Sequence, residues 1–220
     1  MNVLITGATG MVGQGVLREC LLADDVARVV TLGRTATGTP HAKLRELVHA
    51  DLFDLAPIEA ELAGLDACFY CLGVSSAGMT EAAYTKMTYE LTMAVARTLA
   101  RLNPAMTFVY VSGVGTDEHG RAMWARVKGR TERELGELGL RAAYGLRPGV
   151  IVPRNGARSR TRLYAAFYTV GWPLLALARA IAPRRIVTTE TVGRAMLALV
   201  RDQPAERVVE PPLIAALGNR

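Results

Sequence analysis

Apolar and polar positions along the first 150 residues switch between two periods. Short runs rich in β-branched residues, of strand length, are separated by stretches with helical spacing. Val3-Leu4-Ile5 is the first such run, and a helical pattern follows from Met11 to Leu22. Ala27 to Leu32 and Glu46 to Ala50 predict a second and a third strand, and Ala67 to Cys71 a fourth. A long helix is predicted from Glu81 to Leu102, ended by Asn103-Pro104, because a residue before proline is pushed out of helical backbone. Phe108 to Ser112 predicts a fifth strand, Arg121 to Leu138 a helix, and Ala142 to Leu146 a sixth strand closed by Arg147-Pro148-Gly149. Strands joined by helices imply crossover connections, hence a parallel sheet covered on both faces. The expected fold class is α/β, a doubly wound parallel sheet with a small C-terminal lobe. The alternation stops near Val150. Residues 1–150 are therefore expected to form the sheet domain, and 151–220 a lobe and packing helices of the same domain. One of those helices should begin at Thr188-Thr189-Glu190, with a threonine cap and an acid in the first turn.

Composition narrows the class. Half of the 220 residues are hydrophobic and 21% are charged, which excludes a disordered, collagenous or coiled-coil chain. Three cysteines cannot build a disulfide framework, and no secretory pattern precedes the first apolar run, so a cytoplasmic protein is expected. The net charge of +6 is local: residues 1–150 carry 15 Lys/Arg against 16 Asp/Glu, and residues 151–220 carry 11 against 4. No basic motif interleaved with aromatics occurs, which argues against a nucleic-acid partner.

The most informative motif is Thr6-Gly7-Ala8-Thr9-Gly10-Met11-Val12-Gly13, placed after the first strand and opening the first helix. Gly7 permits a sharp turn, Gly10 lets a pyrophosphate approach the backbone, and Gly13 lets the helix pack close to the sheet. The helix N-terminus then offers free N–H groups to phosphate. A plain tight turn is the bland alternative, but the strand–turn–helix context favours a Rossmann-type dinucleotide site.

The Gly-x-x-Gly-x-x-Gly spacing resembles the short-chain dehydrogenase/reductase superfamily, in particular its extended and atypical branches of NAD-dependent epimerase/dehydratase type. The resemblance covers about residues 1–150. It implies a cofactor site made by Thr6, Gly7, Thr9, Gly10, Met11, Val12 and Gly13, with Asp51 and Leu52 near the adenine. Cys71, Leu72 and Gly73 correspond to the backbone that passes the cofactor after the fourth strand. Pro148, Gly149 and Val150 correspond to the segment beside the nicotinamide. It also implies a catalytic serine at Ser112 and a lysine at Lys128, which binds the cofactor ribose.

The residue after the second strand separates NAD from NADP. An acid there binds both ribose hydroxyls, whereas an arginine pairs with a 2′-phosphate. The chain has Gly33-Arg34 and no acid, so NADP is expected over NAD, the alternative being that Arg34 is a solvated loop residue.

The resemblance also requires a tyrosine four residues before the lysine, on the same helix face, as general acid or base. That position holds Trp124. Indole donates a hydrogen bond but does not titrate usefully. Thr88 is a second departure, where many relatives carry asparagine. Three readings stay open. The protein binds NADP without turnover. Alternatively, another tyrosine (Tyr84, Tyr164 or Tyr168) supplies the proton. In the third, Ser112, Lys128 or water does so. Trp124 as a core aromatic and Lys128 as a solvated lysine are the bland alternatives. The expected activity is NADP-dependent oxidation or reduction of a small or apolar carbonyl or alcohol, with a catalytically degenerate sensor or scaffold as the rival.

Cys68 and Cys71 have Cys-x-x-Cys spacing, but in a strand residues i and i+3 face opposite ways, so no redox pair is expected. No spacing of His41, His49 and His119 with the cysteines assembles four metal ligands, so no metal is expected. His119 reads as a solvated loop residue, with a substrate contact as the lesser reading. Residues 151–185 have no acid, and the uncharged run Leu163 to Ala178 is flanked by arginines. Its 16 residues fall short of the roughly 20 that cross a bilayer. A substrate lobe is favoured for 154–185 over a membrane-surface or partner contact, and the oligomeric state is left open.

Overall fold

The computed structural model describes residues 1–157 and 186–220. The expectations for Tyr164, Tyr168 and the uncharged run Leu163 to Ala178 lie outside the described residues.

Seven strands form one parallel sheet: β1 (Asn2–Thr6), β2 (Arg28–Gly33), β3 (Leu44–Val48), β4 (Ala67–Tyr70), β5 (Thr107–Val111), β6 (Ala142–Leu146) and β9 (Val208–Val209), in the order β3-β2-β1-β4-β5-β6-β9. A separate parallel pair joins β7 (Val150–Val152) to β8 (Ile186–Thr188). The third strand lies two residues earlier than the sequence suggests. Its ladder with β2 runs from Val29 opposite Leu44 to Gly33 opposite Val48. Arg45 and Glu46 fall inside this edge strand, where polar side chains can face water, and they obscure the apolar run.

The period-two alternation divides the core. Val3, Ile5, Phe69 and Val109 pack on one face, beneath helices α1 (Met11–Leu22), α5 (Thr189–Asp202) and α6 (Pro211–Gly218). Leu4, Cys68, Tyr70, Phe108 and Tyr110 pack on the other, beneath α2 (Glu81–Thr85), α3 (Leu91–Leu102) and α4 (Met123–Gly136). The long helix expected from Glu81 to Leu102 is present, but a π turn at Lys86–Glu90 joins α2 to α3. Helix α5 does begin at Thr189, and the Thr188 side chain accepts from the N–H of Thr191. The short β9, α6 and a 3₁₀ turn at Ala56–Leu62 are not anticipated by the sequence pattern. A two-residue strand is too short to show a period, and the Pro211-Pro212 pair that opens α6 reads as a break although proline suits a helix start.

Helices α1 and α5 touch through their backbones. A Cβ on Gly15 would lie 2.5 Å from the Thr189 Cβ, and one on Gly193 would lie 2.8 Å from the Glu19 side chain. Glu19 is 5% exposed and is paired by Arg18 at 2.5 Å and by Arg194 at 2.9 Å. The charge stays buried because both partners reach it.

Candidate cofactor and active site

The strand order reverses between β1 and β4, and the carboxyl ends of strands at such a switch form a crevice. The glycine loop fills it. Gly7 has φ +68°, and a Cβ there would lie 2.7 Å from the N of Leu72, so the ends of β1 and β4 approach at backbone distance. The turn is closed by Gly10 N donating to Gly7 O at 2.9 Å. Under it, a Cβ on Gly13 would stand 2.2 Å from Gly7 O, so only glycine lets α1 start this close to the strand. Gly10 caps α1 with extended backbone and no side-chain bond, and the first turn holds no acid. The first-turn N–H groups are thus left for an outside acceptor, and the cradle fits a pyrophosphate.

A groove of about 700 Å³ opens from this loop. Its walls include Gly7, Thr9, Gly10, Met11 and Val12 from the loop, Arg34 after β2, Asp51 and Leu52 after β3, and Cys71, Leu72 and Gly73 after β4. A side chamber of about 270 Å³ continues past Gly33 and Arg34 to Thr35 and Thr37. Arg34 is exposed and makes no hydrogen bond or ion pair among the described residues. Asp51 turns one oxygen to the N–H of Phe53 at 2.9 Å. Thr6 and Gly13 support the loop from beneath and do not line the groove. Thr6 is 1% exposed, and its hydroxyl has no partner among the described residues.

The other half gathers at the ends of β5 and β6. Ser112 is 8% exposed, and its Oγ is 2.8 Å from Thr116 Oγ1. Lys128 Nζ donates to Val111 O at 3.1 Å, so it sits at the end of the strand that delivers Ser112. Burial pulls its ammonium down to about 8, against a smaller opposing effect of Glu132. Trp124 packs against the second core layer, and its ring reaches the loop at Gly115, where a Cβ would lie 3.5 Å away. Pro148, Gly149 and Val150 leave the end of β6 towards β7, and Pro148 O accepts from Val114 N at 3.4 Å. None of Ser112, Trp124, Lys128, Pro148, Gly149 and Val150 lines the 700 Å³ groove.

Tyr84 is 2% exposed within the core, so its phenol is not presented to a substrate in this conformation. His119 is exposed and donates its N–H to Asp117. Cys68 lies in one core layer and Cys71 against the other, so the two thiols do face apart. Burial pushes the Cys71 thiol up to about 12, where it is inert. Sequence reasoning missed the groove residues Ala50, Phe53, Val74, Met87 and Leu91, and it missed Thr116. The four-residue spacing of Met87 and Leu91 is a signal for one wall, but it equally describes a core helix. Nothing in the sequence marks Thr116.

Residues 3–146 match the NAD dependent epimerase/dehydratase family. The chain is 31% identical over 174 residues to protein fmp52, mitochondrial, of Emericella nidulans, covering 76% of this chain and 74% of that one. It is 32% identical over 154 residues to protein FMP52, mitochondrial, of Eremothecium gossypii, covering 69% and 67%. Two solved structures share the fold. DesIV, a dTDP-glucose 4,6-dehydratase from Streptomyces venezuelae solved with NAD and TYD, superposes with TM-score 0.70 at 18% identity over 94% of this chain and 74% of that one. An oxidoreductase of the short chain dehydrogenase/reductase family from Burkholderia thailandensis gives 0.66 at 22% identity over 97% and 92%. The chain belongs to the NAD dependent epimerase/dehydratase family, on a Rossmann-type fold. The relatives' names overturn the cytoplasmic expectation, since both are mitochondrial proteins. Unpaired thiols fit any reducing compartment, so three free cysteines do not separate the two.

Proposed function

We propose that the chain binds NADP(H) along the glycine-loop groove and acts as an oxidoreductase on a small or apolar carbonyl or alcohol. The observation that carries this reading is Arg34. It is an unpaired guanidinium at the groove wall, next to Gly33, where an acid would select NAD. The α1 N-terminus would take the pyrophosphate and Arg34 the 2′-phosphate by a charge-assisted fork. Pro148 to Val150 would border the nicotinamide, whose chemistry when bound is hydride transfer. Lys128 would hold the cofactor ribose. Ser112 would hydrogen-bond the substrate oxygen, with Thr116 fixing the direction of its hydroxyl. Trp124 supplies no titratable proton.

A second reading, cofactor binding without turnover, is favoured by the seat of Trp124. Its ring packs against core and loop where the family places a reacting phenol. Calorimetry with NADPH and NADH at one salt concentration, followed by NADPH consumption across a panel of carbonyl compounds, tests both. Tighter NADPH binding with turnover supports the enzyme, and tighter binding without turnover supports the sensor. Equal affinities sink the NADP assignment.

A further inference from the structure

On the sheet face covered by α2 to α4, several hydroxyls converge within an otherwise apolar layer. Tyr70 and Tyr110 stand on neighbouring strands with ring centroids 6.1 Å apart. The helix above carries Tyr84, Thr88 and Thr92 at intervals of four, with the π turn between them. The phenol of Tyr70 faces Thr92, that of Tyr84 faces Thr88, and that of Tyr110 faces Thr131, with Tyr70 and Tyr84 nearby.

These groups are close, yet they do not satisfy one another. Tyr70, Thr88 and Tyr110 are 1%, 5% and 1% exposed. The oxygens Tyr70 Oη, Thr88 Oγ1 and Tyr110 Oη have no hydrogen-bond partner among the described residues. The neighbouring threonines are committed to backbone: Thr92 Oγ1 donates to Thr88 O at 2.5 Å, and Thr131 Oγ1 donates to Val127 O at 2.8 Å. Each has spent its one proton and could only accept from a phenol O–H, and neither phenol comes within normal hydrogen-bond geometry to make that bond. Folded proteins rarely leave three buried hydroxyls unmet in one place, and ordered water commonly meets such a set with about three bonds per molecule.

We propose that this hydroxyl cluster is an internal hydration site, in which one or more ordered waters bridge Tyr70, Thr88 and Tyr110 at the π turn. The unmet groups are all neutral and each can donate and accept, which selects a neutral ligand with both capacities. The site backs directly onto the cofactor groove. Met87 and Leu91, from the same turns of helix as Thr88 and Thr92, form part of the groove wall. Lys128 borders the cluster, with Nζ 5.1 Å from the Tyr110 ring centroid. This inference does not depend on turnover or on the choice of cofactor.

The test is water–methyl cross-relaxation by NMR on the full chain without cofactor, with labelled threonine methyls. Long-lived water signals at Thr88 and Thr92 are expected. Absence of water signals at both methyls overturns the site. Tyr110→Phe removes one bridge and keeps the ring. It should lower the folding equilibrium constant by about 3- to 10-fold, the range of one lost hydrogen bond. A Tyr110→Phe protein as stable as the parent, or more stable, also overturns the site, because deleting a dry, unmet hydroxyl relieves a penalty. If the variant fails to fold, the parent's methyl signals decide alone.

Discussion

Two regions at the carboxyl ends of the strands are built from different materials. The region between β1 and β4 is made of backbone. Gly7 and Gly13 are required there by atoms a few ångströms away, and the first turn of α1 is uncapped and open. The region at the ends of β5 and β6 is made of side chains. Ser112, Thr116, Lys128 and Trp124 are each held by a neighbour, and Gly113 has open space around its missing Cβ. A backbone cradle keeps its function whatever chemistry is attached beside it. A side-chain constellation is changed by one substitution, and on the proposed function residue 124 would be the one that matters.

The largest test of this contrast is Trp124→Tyr against Trp124→Phe. General acid catalysis is typically worth about 10²–10⁴-fold, so the tyrosine variant should turn over NADPH faster than the phenylalanine variant by about that factor. Equal rates would show that residue 124 is not where this region handles its proton. Next is Arg34→Ala. Losing a charge-assisted pair to the 2′-phosphate should cost about 1.5–3 kcal/mol of NADPH affinity and leave NADH binding unchanged, read by calorimetry. A comparable effect is expected from Gly13→Ala. Crowding Gly7 O should destabilise the fold by about 1–3 kcal/mol in urea, whereas Gly113→Ala should stay within about 0.5 kcal/mol. Equal costs at the two glycines would erase the distinction between cradle and constellation.

A further effect, comparable in size to the two before it, concerns Lys128. Burial lowers its folded-state value to about 8 from the usual 10.5. Between those pH values the unfolded chain holds a proton that the folded chain has released, so native stability should rise with pH across that window. Below pH 8 both states are protonated and this contribution is flat. Lys128→Met should remove the rise, measured as the urea midpoint from pH 7 to 10.5. A slope unchanged in the variant would mean that the ammonium is hydrated in the folded state.

The same contrast explains which features are legible in the sequence and which are not. Glycine spacing after a β-branched run reports a backbone shape, so the loop, the first helix and the succession of the first six strands all show in local patterns. Arg34 is legible because its position is fixed by the end of β2. Met87 and Leu91 are not, since an apolar residue on a groove wall and one in a core have the same periodicity. Thr116 is hidden because its partner, Ser112, is met only through the fold of a turn, with Gly115 at φ +86°. Strand β9 leaves no local trace, because two valines acquire their role only by lying beside Gly145 and Leu146.

The clasp between α1 and α5 has a consequence for how the chain assembles. Arg194 reaches Glu19 across 175 positions of sequence, and Arg201 reaches Asp25 across 176. Gly15 lies against Thr189, directly behind the helix whose first turn forms the cradle. Helix α1 therefore waits for a partner that follows it by some 175 positions. It packs on β1 and β2 from nearby sequence but completes its burial only when α5 docks, and contacts of such long separation are slow to form. During that interval the apolar side of α1 that faces α5 is open to other chains, the usual route to aggregation.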